Sequence, residues 1–311
     1  MIRYKKVMYF RHASHCISQM LMVSFIEKEK HMAGKLYLCA TPIGNLEDIT
    51  FRVLKTLKEV DIIGAEDTRH SIKLLNYFDI KTPMTSYHEY NKVEKAKYLV
   101  GEMLEGKNIA LITDAGTPGI SDPGEELVRQ CFEAGIEVTS LPGPAACITA
   151  LTMSGQPTRR FAFEAFLPAD KKERALVLEE LKNETRTIII YEAPHHLLKT
   201  LQELYEVLGD RSITLCKELT KIHENAEKST IGALIEKYEV IEPKGEHVLV
   251  IAGKTFKEKK DESILSFMEM TVDEHMEMYL SQGMDKKEAM KAVAKDRGVS
   301  KRDIYDALLG K

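Results

Sequence analysis

The sequence has no uninterrupted apolar run of about 18 residues, which excludes a transmembrane helix. It has no CxxC pair. Its five cysteines, Cys16, Cys39, Cys131, Cys147 and Cys216, are scattered and odd in number. That pattern argues against a disulfide framework and a zinc site and for a reducing, cytoplasmic setting. No strand-like run is followed by GxGxxG, which weighs against a nicotinamide cofactor. The Gly101–Lys107 stretch begins like a P-loop, but Asn108 stands where Ser or Thr is needed, and the helix-then-strand order is reversed. Net positive charge is missing too: 44 Lys+Arg against 48 Asp+Glu leave −4. On that total alone, a nucleic-acid partner is disfavoured.

The charge is, however, unevenly spread along the 311 residues. Residues 1–33 carry six basic and two acidic groups, and residues 285–311 carry eight and five. An acidic middle therefore lies between two basic ends. An apolar fraction of 44% and a charged fraction of 30% are those of a folded globular chain, not a disordered one.

Residues 1–33 are read as an N-terminal extension, expected to be poorly ordered. Ser18, Gln19 and Ser24 interrupt its apolar stretch, so it does not read as a secretory signal. His12, His15 and Cys16 lack a fourth ligand, and no metal is expected there or elsewhere. From Lys35 onward, short apolar runs alternate with helix-patterned segments. The runs are Leu36–Ala40, Val60–Ala65, Ile109–Thr113, Ile136–Leu141, Phe161–Ala165, Thr187–Tyr191, Ser212–Cys216 and His247–Ile251. Arg52–Lys58, Lys92–Leu104, Gly124–Ala134, Lys171–Leu181 and His195–Leu208 carry apolar residues at helical spacing. This alternation predicts an α/β protein with predominantly parallel sheets. Ser154-Gly155-Gln156-Pro157 offers a break, so we expect one α/β lobe over residues 34–153 and a second over 154–253. Residues 254–311 are expected as a charged linker (254–262), a Met-rich helical segment (263–282) and two short helices. Those two helices, at 285–296 and 300–309, resemble a helix-turn-helix in outline.

Three loops follow strand-like runs and are rich in glycine and proline. Thr41-Pro42-Ile43-Gly44-Asn45 turns sharply after the first run. Residues 114–124 hold three Gly, two Pro and two Asp, which reads as a shaped backbone surface for a small molecule. Leu141-Pro142-Gly143-Pro144-Ala145-Ala146 opens a helix whose N-terminus suits an anionic group. Polar clusters at 66–70, 87–91, 191–196 and 217–221 also end or follow strand-like runs, and four such clusters suggest a common edge.

At these residues a resemblance emerges. TPIGNLEDIT (41–50), AEDTRH (65–70), ITDAGTPGISDPG (112–124), LPGPAA (141–146), FLPA (166–169), YEAPH (191–195), KELTK (217–221) and GEHVLV (245–250) occur in collinear order. Together they resemble the ribosomal RNA small subunit methyltransferase I family of the tetrapyrrole-methylase superfamily. The resemblance implies two α/β lobes with an S-adenosylmethionine cleft between them, a small helical C-terminal tail, and a homodimer in the cytoplasm. It implies 2′-O-methylation of a cytidine ribose in the decoding region of 16S rRNA, within the small ribosomal subunit. By the same resemblance, the cofactor candidates are Thr41, Pro42, Ile43, Gly44, Asn45, Asp114, Ala115, Gly116, Thr117, Pro118, Gly119, Ile120, Asp122, Pro142, Gly143, Ala145 and Tyr191. Glu66, Asp67, Arg69, Lys217 and Glu218 are the candidates at the reactive ribose. Family members usually carry Arg where this chain has His196 and Lys217, and neither replacement reproduces the guanidinium fork. Two alternatives stand beside this reading: a methyltransferase acting on a small tetrapyrrole precursor, and a non-catalytic RNA-binding protein.

Overall fold

The structure, a computed structural model, describes residues 33–310. The expectations for the N-terminal extension, including His12, His15 and Cys16, lie outside the described residues apart from Ala33. The chain forms two compact units. One runs to Thr149 and includes Glu218–Glu224; the other comprises Ala150–Lys217 and Asn225–Lys311.

The first unit is built on a parallel sheet. Its strands are β1 (Lys35–Cys39), β2 (Ile62–Ala65), β3 (Met84–Ser86), β4 (Ile109–Ile112) and β5 (Glu137–Leu141), in the order β3-β2-β4-β1-β5. Successive residues of a strand point to opposite faces, and β1 shows why its run is almost wholly apolar. Leu36 and Leu38 join Leu99 and Leu127, from helices Lys92–Leu104 and Gly124–Glu133, in one cluster. Tyr37 and Cys39 join Val53, Leu57 and Leu75, from helices Phe51–Glu59 and Thr68–Tyr77, in another. A strand covered on both sides has no polar face.

The second unit departs from expectation. Its strands are β6 (Phe161–Phe166), β7 (Thr187–Glu192), β8 (Ser212–Lys217), β9 (Asn225–Thr230) and β10 (His247–Ile251), in the order β6-β7-β10-β8-β9. Only β6 and β7 pair in parallel; β10 is antiparallel to both β7 and β8, and β8 to β9. The prediction of predominantly parallel sheets therefore holds for the first unit and fails for the second. An apolar run reports burial on both faces, not strand direction. Helices Lys171–Leu181, Leu197–Leu208 and Ile231–Val240 bury Leu178, Leu201, Leu204 and Leu234 in the same cluster as Ile188, Ile190, Leu215 and Leu249.

The C-terminal part of this unit is helical throughout. The stretch expected as a linker is instead the start of helix Phe256–Glu269, closed by a Thr255/Glu258 capping box. The expected single segment at 263–282 breaks at Met270, and Thr271 with Glu274 caps the next helix, Val272–Ser281. Both starts follow the T-x-x-E pattern. Helices Lys286–Asp296 and Lys301–Leu308 begin at the N-caps Asp285 and Ser300. Gly298, at φ 65°, takes the left-handed conformation that ends the first of them. Met276, Ala289, Met290, Val293, Ala294 and Ile304 form the core of this helical part.

Cys39, Cys131, Cys147 and Cys216 are buried, and burial pushes the Cys39 and Cys131 thiols up to about 12. They behave as small core residues. Among the described residues no helix is long and apolar enough to cross a membrane.

A candidate active site at the carboxyl edge of the parallel sheet

Strands β1 and β4 are neighbours, but the chain leaves them toward opposite faces. The helix after β1, Phe51–Glu59, lies in one cluster and the helix after β4, Gly124–Glu133, contributes to the other. Such divergence opens a crevice at the carboxyl ends of adjacent strands, where open α/β sheets bind ligands. The two loops are joined at their base. Thr41 and Gly116 exchange backbone hydrogen bonds of 2.9 and 3.0 Å, and the buried Thr41 hydroxyl donates to the Thr113 carbonyl at 3.1 Å.

Beyond this bridge, the 114–124 loop is held by its own side chains. Asp122 accepts from the N–H groups of Gly119 (2.8 Å), Ile120 (3.2 Å) and Gly124 (2.8 Å). Burial raises the Asp122 carboxyl, and these three donors oppose the rise. Gly116 (φ 87°), Gly119 (φ 85°) and Ser121 (φ 65°) take left-handed conformations, which L side chains rarely adopt. Tyr87, fully buried, donates its hydroxyl to the Pro123 carbonyl at 2.9 Å. Thr117 donates to the Pro144 carbonyl at 2.9 Å and so ties this loop to the one after β5. There Gly143 lies so close to β1 that a Cβ would stand 2.6 Å from the Cβ of Ala40.

The 218–224 segment lies against the first loop: a Cβ on Gly44 would stand 2.8 Å from the Leu219 carbonyl. Glu218 (φ 50°) and Thr220 (φ 63°) are non-glycine residues in the left-handed region, a strain that tends to collect at functional sites. Glu218 is paired with Lys221 at 3.1 Å.

The acidic candidates stand at the ends of β2 and β4. Glu66 accepts from the Thr113 hydroxyl at 2.6 Å through one oxygen. Asp114 accepts from the Asp67 N–H at 3.1 Å; desolvation raises its carboxyl, and the charge of Glu66 adds to the rise. Asp67 caps helix Thr68–Tyr77 and holds the Arg69 guanidinium at 2.7 and 3.1 Å. Those hydrogen bonds from Arg69 lower the Asp67 carboxyl to about 2.

The structure thus gathers Thr41–Asn45, Glu66, Asp67, Arg69, Asp114–Asp122, Pro142, Gly143, Ala145 and Glu218 within the first unit, around one edge of its sheet. Tyr191 and Lys217 belong to the second unit. Tyr191 meets Phe163 and Phe166 edge-on at 5.0 and 5.7 Å. Lys217 ends β8, and across the ladder His247 stands opposite both Lys217 and Glu192. Glu192 lies in the 191–196 cluster and His247 in the GEHVLV motif, but residues at one register position form a row that motif reading alone does not reveal, so neither stands among the site candidates. Glu192 is buried and accepts from the Thr200 hydroxyl at 2.5 Å and the Ala193 N–H at 2.8 Å, which fixes the Pro194–His196 turn. His195 and His196 are exposed, their rings 4.1 Å apart. Thr113 was also missed. Its role depends on adjacency of β4 to both β1 and β2, which no local signal encodes.

The glycine loops fit a nucleoside-bearing cofactor on their own geometry. Where Gly119 would carry a side chain, nothing lies within 4 Å, and Ala115, Pro142 and Gly143 are exposed. Asp114 keeps a second carboxylate oxygen for a hydroxyl partner.

The fold is that of a class with known members. A solved uroporphyrin-III C-methyltransferase from Thermus thermophilus, complexed with S-adenosylhomocysteine, matches with a TM-score of 0.51 at 18% identity, covering 70% of this chain and 97% of that one. At that identity the likeness concerns the fold. Residues 35–235 match the family model of tetrapyrrole (corrin/porphyrin) methylases. The chain is 48% identical over 88% of its length to ribosomal RNA small subunit methyltransferase I of Halalkalibacterium halodurans, covering 94% of that protein. It is 46% identical over 89% of its length to the protein of the same name from Synechocystis, covering 98% of it. The chain belongs to the tetrapyrrole methylase family and, within it, to the ribosomal RNA small subunit methyltransferase I group.

Proposed function

We propose that this methyltransferase transfers the methyl group of S-adenosylmethionine to the 2′-oxygen of a cytidine in the decoding region of 16S rRNA. The acceptor is the small ribosomal subunit, and the enzyme works as a homodimer in the cytoplasm. The observation that supports the reading is the collinear match, at 46–48% identity over almost nine-tenths of the chain, with relatives named for that RNA. The intact glycine loops speak against a protein that only binds RNA, and the tetrapyrrole-acting uroporphyrin-III C-methyltransferase matches at 18% identity, against 46–48% for the rRNA enzymes.

S-adenosylmethionine, when bound, supplies a methyl group on a sulfonium that an oxygen nucleophile displaces in line. In the first unit, the backbone of 114–119 and 142–145, with the Asp114 carboxylate, would hold it. The loops are shaped before binding by Asp122, Thr117 and the Thr41–Gly116 bridge, so little ordering cost falls on the ligand. A ribose hydroxyl is a poor nucleophile and gains from a base. Asp67, lowered to about 2 and paired with Arg69, is a poor one. Glu66 keeps one oxygen free of the Thr113 hydroxyl and is the better candidate to take the proton. Arg69 is almost fully exposed at its side chain, which suits an RNA phosphate.

The test is transfer of labelled methyl from S-adenosylmethionine to three acceptors: small subunits, protein-free rRNA and a tetrapyrrole precursor. Label in RNA is the expected result. Label in the tetrapyrrole, or in none of the three, overturns the reading.

A further inference from the structure

The helices Lys286–Asp296 and Lys301–Leu308 carry charge in a way that stability alone does not explain. Their acids are mostly engaged. Asp285 accepts from the N–H groups of Lys287 and Glu288, Asp303 completes a capping box with Ser300, and Asp296 accepts from the Tyr279 hydroxyl and stands 3.4 Å from His275. Asp306 faces Arg302 at 3.8 Å. Glu288 is the exposed acid that remains on this pair. The bases are different. Arg297 is buried and donates to the carbonyls of Met270 and Thr271 at 2.7 and 2.8 Å. Lys286, Lys287, Lys291, Lys295 and Lys301 are exposed and form no ion pair among the described residues.

Their positions matter as much as their number. Both helices open with two cations, Lys286-Lys287 and Lys301-Arg302, directly after the N-cap. The amino end of a helix is its positive pole, where anions stabilise and cations do not. Asp285 and Asp303 already cap these two amino ends, so it is the lysine and arginine side chains beyond the caps, not the helix poles, that stand ready for an external anion. Lys287, Lys291 and Lys295 follow at four-residue spacing as an exposed row beside the Ala289, Met290, Val293 and Ala294 face that enters the core. On the second helix Tyr305 is 52% exposed, one turn beyond Lys301. A planar ring beside cations suits a base stacked next to its phosphate. An acidic protein partner would match the lysines but leave that ring without a reason.

Resting on the rRNA methyltransferase reading, we propose that the outer faces of these two helices form a docking surface for RNA. Lys287, Lys291, Lys295, Lys301 and Arg302 contact phosphates, and Tyr305 stacks on an unpaired base. This surface holds substrate RNA by a segment other than the nucleotide that is methylated.

The test uses the full chain, with binding to a small-subunit rRNA fragment measured by fluorescence anisotropy over a range of salt. The triple variant Lys291→Gln, Lys295→Gln, Lys301→Gln should lower the steepness of log affinity against log salt by about 2. Tyr305→Ala should weaken binding about tenfold or more without changing that slope. Glu288→Gln, which removes an acid from the same face, should tighten binding. Affinity for S-adenosylmethionine by calorimetry and the melting temperature should stay as in the unaltered protein. RNA affinity and salt slope unchanged in all three variants, or an unaltered protein that binds no rRNA fragment, overturns the docking surface. Binding that behaves as expected with no methyl transfer to RNA overturns the functional reading instead.

Discussion

Asp122 illustrates how a side chain can fix the shape of a loop from within it. The sequence reading places it among the cofactor contacts; the structure turns its carboxylate onto three N–H groups of its own loop. Asp122→Ala leaves those donors without a partner, and each charge-assisted bond is worth about 1.5–3 kcal/mol. The expected outcome is at least tenfold weaker S-adenosylmethionine binding by calorimetry, with both sheets still folded by circular dichroism. Unchanged affinity would mean that the loop's shape does not matter to the cofactor. Gly143 makes a steric counterpart. A Cβ there meets the Cβ of Ala40 at 2.6 Å, so Gly143→Ala must displace the loop or β1. A loss of about 1–3 kcal/mol in urea unfolding is expected. For the chemistry, Glu66→Gln keeps an acceptor for the Thr113 hydroxyl but removes the base. It should lower kcat about 100-fold or more while cofactor affinity stays the same.

Among the elements, what the sequence disclosed depended on how each is stabilised. Strands β1, β4, β7 and β10 are buried on both faces and were legible as apolar runs. Met84–Ser86 is three residues long with no apolar alternation, and Asn225–Thr230 is a polar edge strand, so neither showed. Helix Thr68–Tyr77 was masked by its own start, the Glu66–His70 cluster, which read as a site and not as a cap. The helix starts at Thr255 and Thr271 carry a local signal, T-x-x-E, that a charge-based reading of the linker overlooked. The glycine loops were legible because backbone shape selects residue type. The pairing of Thr41 with Gly116, and of Thr113 with Glu66, was not, because it depends on strand order.

One element carries a pH dependence. His275 is fully buried, stacked 4.4 Å from Phe267 and 5.6 Å from Tyr279, with Nδ1 accepting from Arg297 at 3.1 Å. Desolvation and the Arg297 charge lower its pKa from 6.5, against the pull of Asp296. Below that value the unfolded chain binds a proton that the native chain does not, so stability rises with pH across this range. The C-terminal helices should therefore loosen as pH falls from 6.5. Amide hydrogen exchange in residues 272–308 should accelerate relative to β1, and His275→Phe should abolish the difference.

At the scale of the whole molecule, the net charge of −4 invites the conclusion that RNA is not a partner. Division by segment reverses it: along the sequence a basic C-terminal part follows an acidic middle, so attraction to RNA is local. Random-sequence RNA should bind only weakly at physiological salt, with dissociation constants above about 1 µM. Tight, sequence-indifferent binding would contradict this view.

The central claim is the identity of the methylated atom. Mass-spectrometric mapping of small-subunit rRNA, after reaction with the purified protein and S-adenosylmethionine, tests it most directly. The account predicts a single new 2′-O-methylated cytidine in the decoding region, formed about 100-fold or more slowly when Glu66→Gln replaces the unaltered chain. Methyl groups on a base, on a ribose elsewhere in the subunit, or on no RNA at all would contradict it.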